Sequence, residues 1–191
     1  MNDRRRVLLQ GLRDSDPQVR ARASAALDRL DALEHLDATR KALSQASVEE
    51  WVRVLRSFAE LRDPGCLRLG LRALGHPEEN VRMAALELVE AYGDWRATPH
   101  LGALLDDPSP TVRARTVEVL GRIGDPRAAP QVAARLDDPD PAVVLQAAVA
   151  VGRLGHGAAE PRLLALARHD DPHVRAAALE ALGRIPLLTD R

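Results

Sequence analysis

Residues 107–130 read DPSPTVRARTVEVLGRIGDPRAAP, and this stretch decides the fold. Ser109 supplies a side-chain acceptor for a free backbone N–H, and Pro110, at the next position, gives up no hydrogen bond there. Gly124 then stops the helix where a left-handed residue is cheapest, and Pro130 opens a second, shorter helix. Working outward, the same punctuation returns along the chain. Asp16-Pro17, Asp140-Pro141 and Asp171-Pro172 mark helix starts, Gly93 and Gly155 mark ends, and Pro99 and Pro161 open short helices.

The interval is 31 residues. One column holds Leu27, Phe58, Val89, Leu120, Val151 and Leu182; another holds Leu30, Leu61, Tyr92, Ile123, Leu154 and Ile185. A third holds Leu12, Leu43, Leu74, Leu105, Leu136 and Ala167, and a fourth Val19, Glu50, Val81, Val112, Val143 and Val174. Within the first unit, Val19, Ala23, Ala26, Leu27 and Leu30 follow the spacing of one helical face. Six units of 31 cover nearly all of the 191 residues without an insertion, so the sequence predicts one array over 1–191 and no second domain. A pair of helices this short cannot bury its apolar face alone; stacked pairs share a continuous core.

Composition agrees. Apolar residues make up 46 % of the chain but aromatics only 2 %, so alanine and leucine do the packing, as closely stacked helices require. The single cysteine, Cys66, excludes an internal disulfide framework and a multi-cysteine zinc site. Charge is nearly balanced, with 27 Lys plus Arg against 28 Asp plus Glu and a net of −1. That is a poor balance for coating nucleic acid. No run of apolar residues is long enough to span a membrane, and the apolar run after Arg4-Arg5-Arg6 is too short for a signal peptide. The expected location is the cytoplasm.

The run from Asp107 to Pro130 resembles the bacterial HEAT repeat of the phycobilisome-lyase type. Asp171-Pro172-His173-Val174-Arg175 with Ala181-Leu182-Gly183-Arg184-Ile185 repeats it, as does Asp16-Pro17-Gln18-Val19-Arg20. The resemblance implies an all-α superhelical solenoid of six HEAT-like repeats, with the second helix of each repeat lining a concave surface. The second repeat departs most, with Ser47-Val48 at its helix start and Trp51 where most units have arginine.

Two rows of arginine follow from the register. Arg20, Arg82, Arg113 and Arg175 succeed the recurring valine, and by resemblance form a structural ladder paired with acidic residues; Trp51 and Val144 break it. The second row lies opposite the apolar stripe and holds Arg22, Arg29, Arg53, Arg56, Arg115, Arg122, Arg153 and Arg184, interspersed with Glu49, Glu60, Glu87, Glu118 and Glu180. Read residue by residue, this is a solvated face with intrahelical pairs such as Arg115 or Arg122 with Glu118. Read as a surface, it is a groove for an acidic or mixed-charge segment, because the guanidinium fork suits carboxylate and phosphate. The residues expected to bind a partner protein are Arg53, Arg56, Arg115, Arg122, Arg153 and Arg184, with Trp51 as an apolar anchor.

Enzymatic readings lack their residues. His169-Asp170-Asp171-Pro172-His173 gathers metal-ligand types, but Asp171 is the expected helix cap and no further ligands stand out. The di-iron hydroxylases built on HEAT-like repeats use His-Glu pairs, and no such dipeptide occurs. A bilin lyase-like component would need an apolar pocket for a chromophore. A HEAT-like glycosylase cleft would need tryptophans and an acid, for which only Trp51 and Glu49 are placed. No phosphate loop or nucleophile motif is present. The expectation is therefore a non-enzymatic interaction scaffold or regulatory adaptor with no cofactor; the alternative is a bilin lyase-like chromophore-handling component or a HEAT-like nucleic-acid-binding or glycosylase cleft. The apolar last helix, followed by Leu187-Leu188, is expected to be covered by that tail, by a second copy in end-to-end self-association, or by further residues not in this sequence.

Overall fold

In the computed structural model the described residues are 3–24, 26–27, 43, 46–61 and 64–186, and every regular element among them is helical. The elements are α1 (Asp3–Gly11), α2 (residues 17–24), α3 (Val48–Leu61), α4 (Pro64–Ala73), α5 (Glu79–Tyr92) and α6 (Thr98–Gly102), then α7 (Pro110–Ile123), α8 (Ala129–Ala134), α9 (Pro141–Leu154), α10 (Glu160–Leu166) and α11 (Pro172–Leu182). Leu30 and Arg29 of the repeat columns, and the Leu187-Leu188 tail, lie outside the described residues. The chain forms two compact units, residues 1–50 and 51–191.

In the first unit α1 precedes α2, whose start is capped by Asp16 through the amide of Gln18 at 2.6 Å. A Cβ at Gly11 would stand 2.9 Å from the Cβ of Ala23, so glycine allows α1 and α2 to approach closely. Ala23, Leu27 and Leu43 are buried, but no residue of α1 is.

In the second unit the long helices pack in sequence order, α5 on α7, α7 on α9 and α9 on α11. The shorter helices α4, α8 and α10 each pack on the long helix that follows them. The core between these layers is aliphatic: Leu55, Leu86, Leu101, Leu120, Leu136 and Leu163 are each less than 2 % exposed. The expected caps are present. Ser109, Asp140 and Asp171 accept from the amides of Val112, Ala142 and His173, while Gly93, Gly124 and Gly155 close their helices at φ of 59°, 74° and 65°. In the divergent second repeat, Ser47 and Glu50 exchange hydrogen bonds as a capping box, so the helix starts without the acidic-proline pair.

The seams between long helices are of two kinds. A Cβ on Gly121 would lie 2.8 Å from the Cβ of Ala150, and one on Gly152 would lie 2.9 Å from the Cα of Ala181. Glycine in this column therefore lets α7, α9 and α11 touch nearly backbone to backbone. One repeat earlier the same column holds Glu90, and the α5–α7 seam is bridged by charge.

Candidate partner-binding face

The ladder arginines follow one geometry. Arg113 donates through NH1 to the carbonyl of Asp107 at 2.9 Å, tying down the turn before its own helix. Its other edge, Nε and NH2, clasps Asp138 of the next repeat at 2.9 Å on both bonds. Arg82 likewise holds the carbonyls of His76 and Pro77 and clasps Asp107 at 2.7 and 2.9 Å. Both pairs span 25 residues and are largely buried. The Arg113 fork holds the Asp138 carboxyl below its ordinary pKa against the opposing effect of burial. Asp138 also caps the amide of Asp140, and Asp107 caps that of Ser109. Arg82 and Arg113 are scaffold, as the family resemblance implied.

Where the ladder breaks, both partners change. Trp51 stands at the arginine position, and the residue 25 further on is His76; their rings pack with centroids 5.5 Å apart. Val144 is followed at the same interval by His169. Each histidine keeps the capping duty of the missing aspartate, Nδ1 of His76 accepting from the amide of Glu78 at 3.1 Å and Nδ1 of His169 from that of Asp171 at 3.0 Å. Trp51 thus lies half-buried at the ladder edge. Among the described residues no three histidine, cysteine or carboxylate side chains gather as a metal site, and Cys66 is buried in α4.

Of the second arginine row, Arg56, Arg115, Arg122 and Arg184 are paired, Arg22 is exposed and meets no carboxylate among the described residues, and Arg29 lies outside them. Glu90 of α5 and Glu118 of α7 alternate with Arg115 and Arg122 in a closed ring. Arg115 donates to Glu90 and, at 2.5 Å, to Glu118, while Arg122 bonds Glu90 at 2.6 Å and Glu118 at 2.7 Å. Burial opposes the charge on Arg115, and the hydrogen bonds and attraction of Glu118 and Glu90 outweigh it, raising its pKa. Arg56 of α3 reaches Glu87, one repeat further on, at 3.0 Å, and Glu87 lifts its pKa. Arg184 bonds Glu180 within its own turn at 2.6 Å.

Arg53 and Arg153 differ. Both are exposed, and among the described residues neither meets a carboxylate. On α9 the positions that carry Arg115 and Glu118 in α7 hold Gln146 and Val149. Arg153 therefore stands over a half-buried, uncharged surface.

Two residues were not singled out by the sequence. Glu90 sits in the glycine column and was hidden by its place among residues read as packing. Trp95 is 56 % exposed in the turn before α6, with the Arg127 guanidinium 4.6 Å from its ring centroid. A tryptophan in a turn slot held elsewhere by Pro126 and Gly157 was the available signal. Arg127 also forks onto Asp125, holding that carboxyl at a pKa of about 2.

Among the described residues no helix is long and apolar enough to cross a membrane. No curated protein matches the sequence. Among solved structures, a designed armadillo repeat protein in complex with the peptide (KR)4 is 20 % identical, with 94 % of this chain and 98 % of that one covered at a TM-score of 0.61. A structure described as the basis of microtubule plus end tracking by XMAP215, CLIP-170 and EB1 is 17 % identical over 96 % of this chain and 91 % of that one, at 0.51. The CpcE–CpcF complex of phycocyanin lyase from Nostoc sp. PCC7120 is 23 % identical over 94 % and 76 %, at 0.49. Likenesses at this level of identity speak to the fold alone. The family profile for HEAT repeats matches residues 69–151 and 130–190, and with the ladder and the stacked long helices this chain belongs to the HEAT-repeat family.

Proposed function

We propose that this HEAT-repeat protein is a non-enzymatic scaffold or regulatory adaptor that seats an acidic or mixed-charge segment of a partner protein along the concave face of its long helices. The observation that carries the reading is the state of Arg53 and Arg153, two exposed guanidiniums without a carboxylate partner among the described residues, on a face where Arg56, Arg115, Arg122 and Arg184 are paired. A paired arginine has already found its carboxylate; an open fork offers a bidentate site to an incoming one. Val149 and Gln146 beside Arg153 add an uncharged surface on which a neighbouring apolar residue can rest. A designed armadillo array that holds a (KR)4 peptide supports the general mode; the open arginines here call for the opposite charge.

The experiment is capture from a cell lysate with the wild type, the Arg53→Glu/Arg153→Glu double variant and an Arg4→Glu control. A partner lost only with the double variant, while circular dichroism stays unchanged, supports the face. A partner retained by the double variant overturns it.

A further inference from the structure

The arginine–aspartate ladder has an open donor at one end and an open acceptor at the other. Arg175 donates through NH1 to the carbonyls of His169 and Asp170 at 2.7 Å, as Arg113 does to its own turn. Among the described residues, however, no carboxylate meets its other edge. Asp14 accepts the amide of Asp16 at 2.9 Å, just as Asp107 and Asp138 accept theirs. It is exposed; Arg20 holds its backbone carbonyl at 2.8 Å, as Arg113 holds that of Asp107, but among the described residues no arginine clasps its carboxylate.

The apolar surface is open at the same two places. Val81, Val112, Val143 and Val174 are fully buried, but Val19 in the same column is 41 % exposed. Val7, Leu9 and Leu12 lie exposed beside it in the sequence, and Leu164 and Leu179 lie exposed on α10 and α11. Apart from Trp95, every exposed large apolar residue among those described falls in the first or the last repeat. Gly183 continues the column of Gly121 and Gly152, yet only carbonyls of its own helix lie within 4 Å of where its Cβ would stand.

We propose that copies of this chain stack head to tail, the first repeat of one copy docking on the last repeat of another in the register used inside the array. The register supplies the complement twice. Continued by one repeat, the ladder interval places Asp14 of the second copy against Arg175, as Asp138 lies against Arg113. The seam interval that sets Ala150 on Gly121 and Ala181 on Gly152 sets Ala26 on Gly183. Such a contact uses different surfaces on the two copies, so it is heterologous and extends until a ring closes or an end is blocked.

The test is light scattering over a concentration series of the 191-residue chain, with Asp14→Arg blocking the head and Leu179→Arg blocking the tail. Leu179 makes no side-chain hydrogen bond and is 58 % exposed, so that variant tests the face without touching the turn that Arg175 holds. The wild type is expected to gain mass with concentration, and each variant alone to remain at the mass of one chain. A mixture of the two still has one intact tail and one intact head, and is expected to reach twice the chain mass and stop. A wild type that stays at the mass of one chain up to its solubility limit overturns the proposal. So does an Asp14→Arg variant that assembles as the wild type does, because that association would not use the ladder.

Discussion

Trp51 and His76 stand 25 residues apart, the interval that separates Arg113 from Asp138, and their rings pack where Arg82 with Asp107 and Arg113 with Asp138 form ion pairs. The substitution is concerted: the arginine becomes apolar and the aspartate becomes a histidine that still caps the following turn. Val144 and His169 repeat the exchange. The repeat junction therefore has two interchangeable solutions, one ionic and one apolar, with the cap common to both.

Exchanging one solution for the other should be tolerated where breaking it is not. Arg113→Ala leaves the buried Asp138 carboxylate unpaired, at a cost of about 3 kcal/mol. The Arg113→Val/Asp138→His double variant copies Val144 and His169 and should recover at least half of that loss. Urea denaturation of the three proteins decides the matter; a double variant no more stable than Arg113→Ala contradicts the equivalence.

The glycine column should respond according to its neighbours. Gly121→Ala and Gly152→Ala force a methyl against Ala150 and Ala181, and should each cost about 1–3 kcal/mol by overpacking. Gly183→Ala meets only its own helix, at 3.5 Å and beyond, and should be neutral or stabilising by up to about 1 kcal/mol. Thermal unfolding at low protein concentration measures the contrast.

Acid should weaken the fold in a defined window. The Asp125 carboxyl is held at about 2 by Arg127, and Asp138 is held low by Arg113. A carboxylate whose pKa is depressed by folding contributes fully above its unfolded value, about 3.9, and loses that contribution as pH falls through the folded value. The urea midpoint should therefore fall between about pH 4 and pH 2, and Asp125→Asn, which keeps an oxygen for the Arg127 amide that Asp125 accepts at 3.1 Å, should make that fall shallower. An unchanged slope contradicts the assignment.

The charge ring predicts a gain of binding from a loss of pairing. Glu90→Gln removes the carboxylate that joins Arg115 to Arg122 across the α5–α7 seam, and should cost about 1–2 kcal/mol of stability. The same change releases part of two guanidiniums, so an acidic partner should bind more tightly, and more steeply with falling salt. Titration of the captured partner at two salt concentrations reads both effects.

Much of this architecture was legible in the sequence because each repeat writes its punctuation in residues with one dominant local use. Ser109, Pro110 and Gly124 specify a start and a stop with no help from the rest of the chain. The intrahelical pairs of Glu118 with Arg115 and Arg122 follow from spacing alone. Glu90 was not legible, because its role depends on which residue of the next helix it faces, and that distance is fixed only once α5 and α7 are packed. Trp51 was read both as a break in the ladder and as an apolar anchor; its packing on His76 becomes visible when positions 25 apart are compared rather than positions 31 apart. The first and last repeats carry the same columns as the rest, but Val19 and Leu12 show that a column buries its residue only where a neighbour covers it.

The claim that the long-helix face receives the partner is tested most directly by site-specific photocrosslinking. A benzoylphenylalanine placed singly at Gln146 or Val149 of α9, beside Arg153, samples the proposed seat; the same group at His100 of α6 or Arg162 of α10, both exposed on the short helices, samples the other layer. Crosslinks to the captured partner from 146 and 149, and none from 100 and 162, are the predicted result. Crosslinks from 100 or 162 alone would place the partner on the short-helix layer and contradict the account.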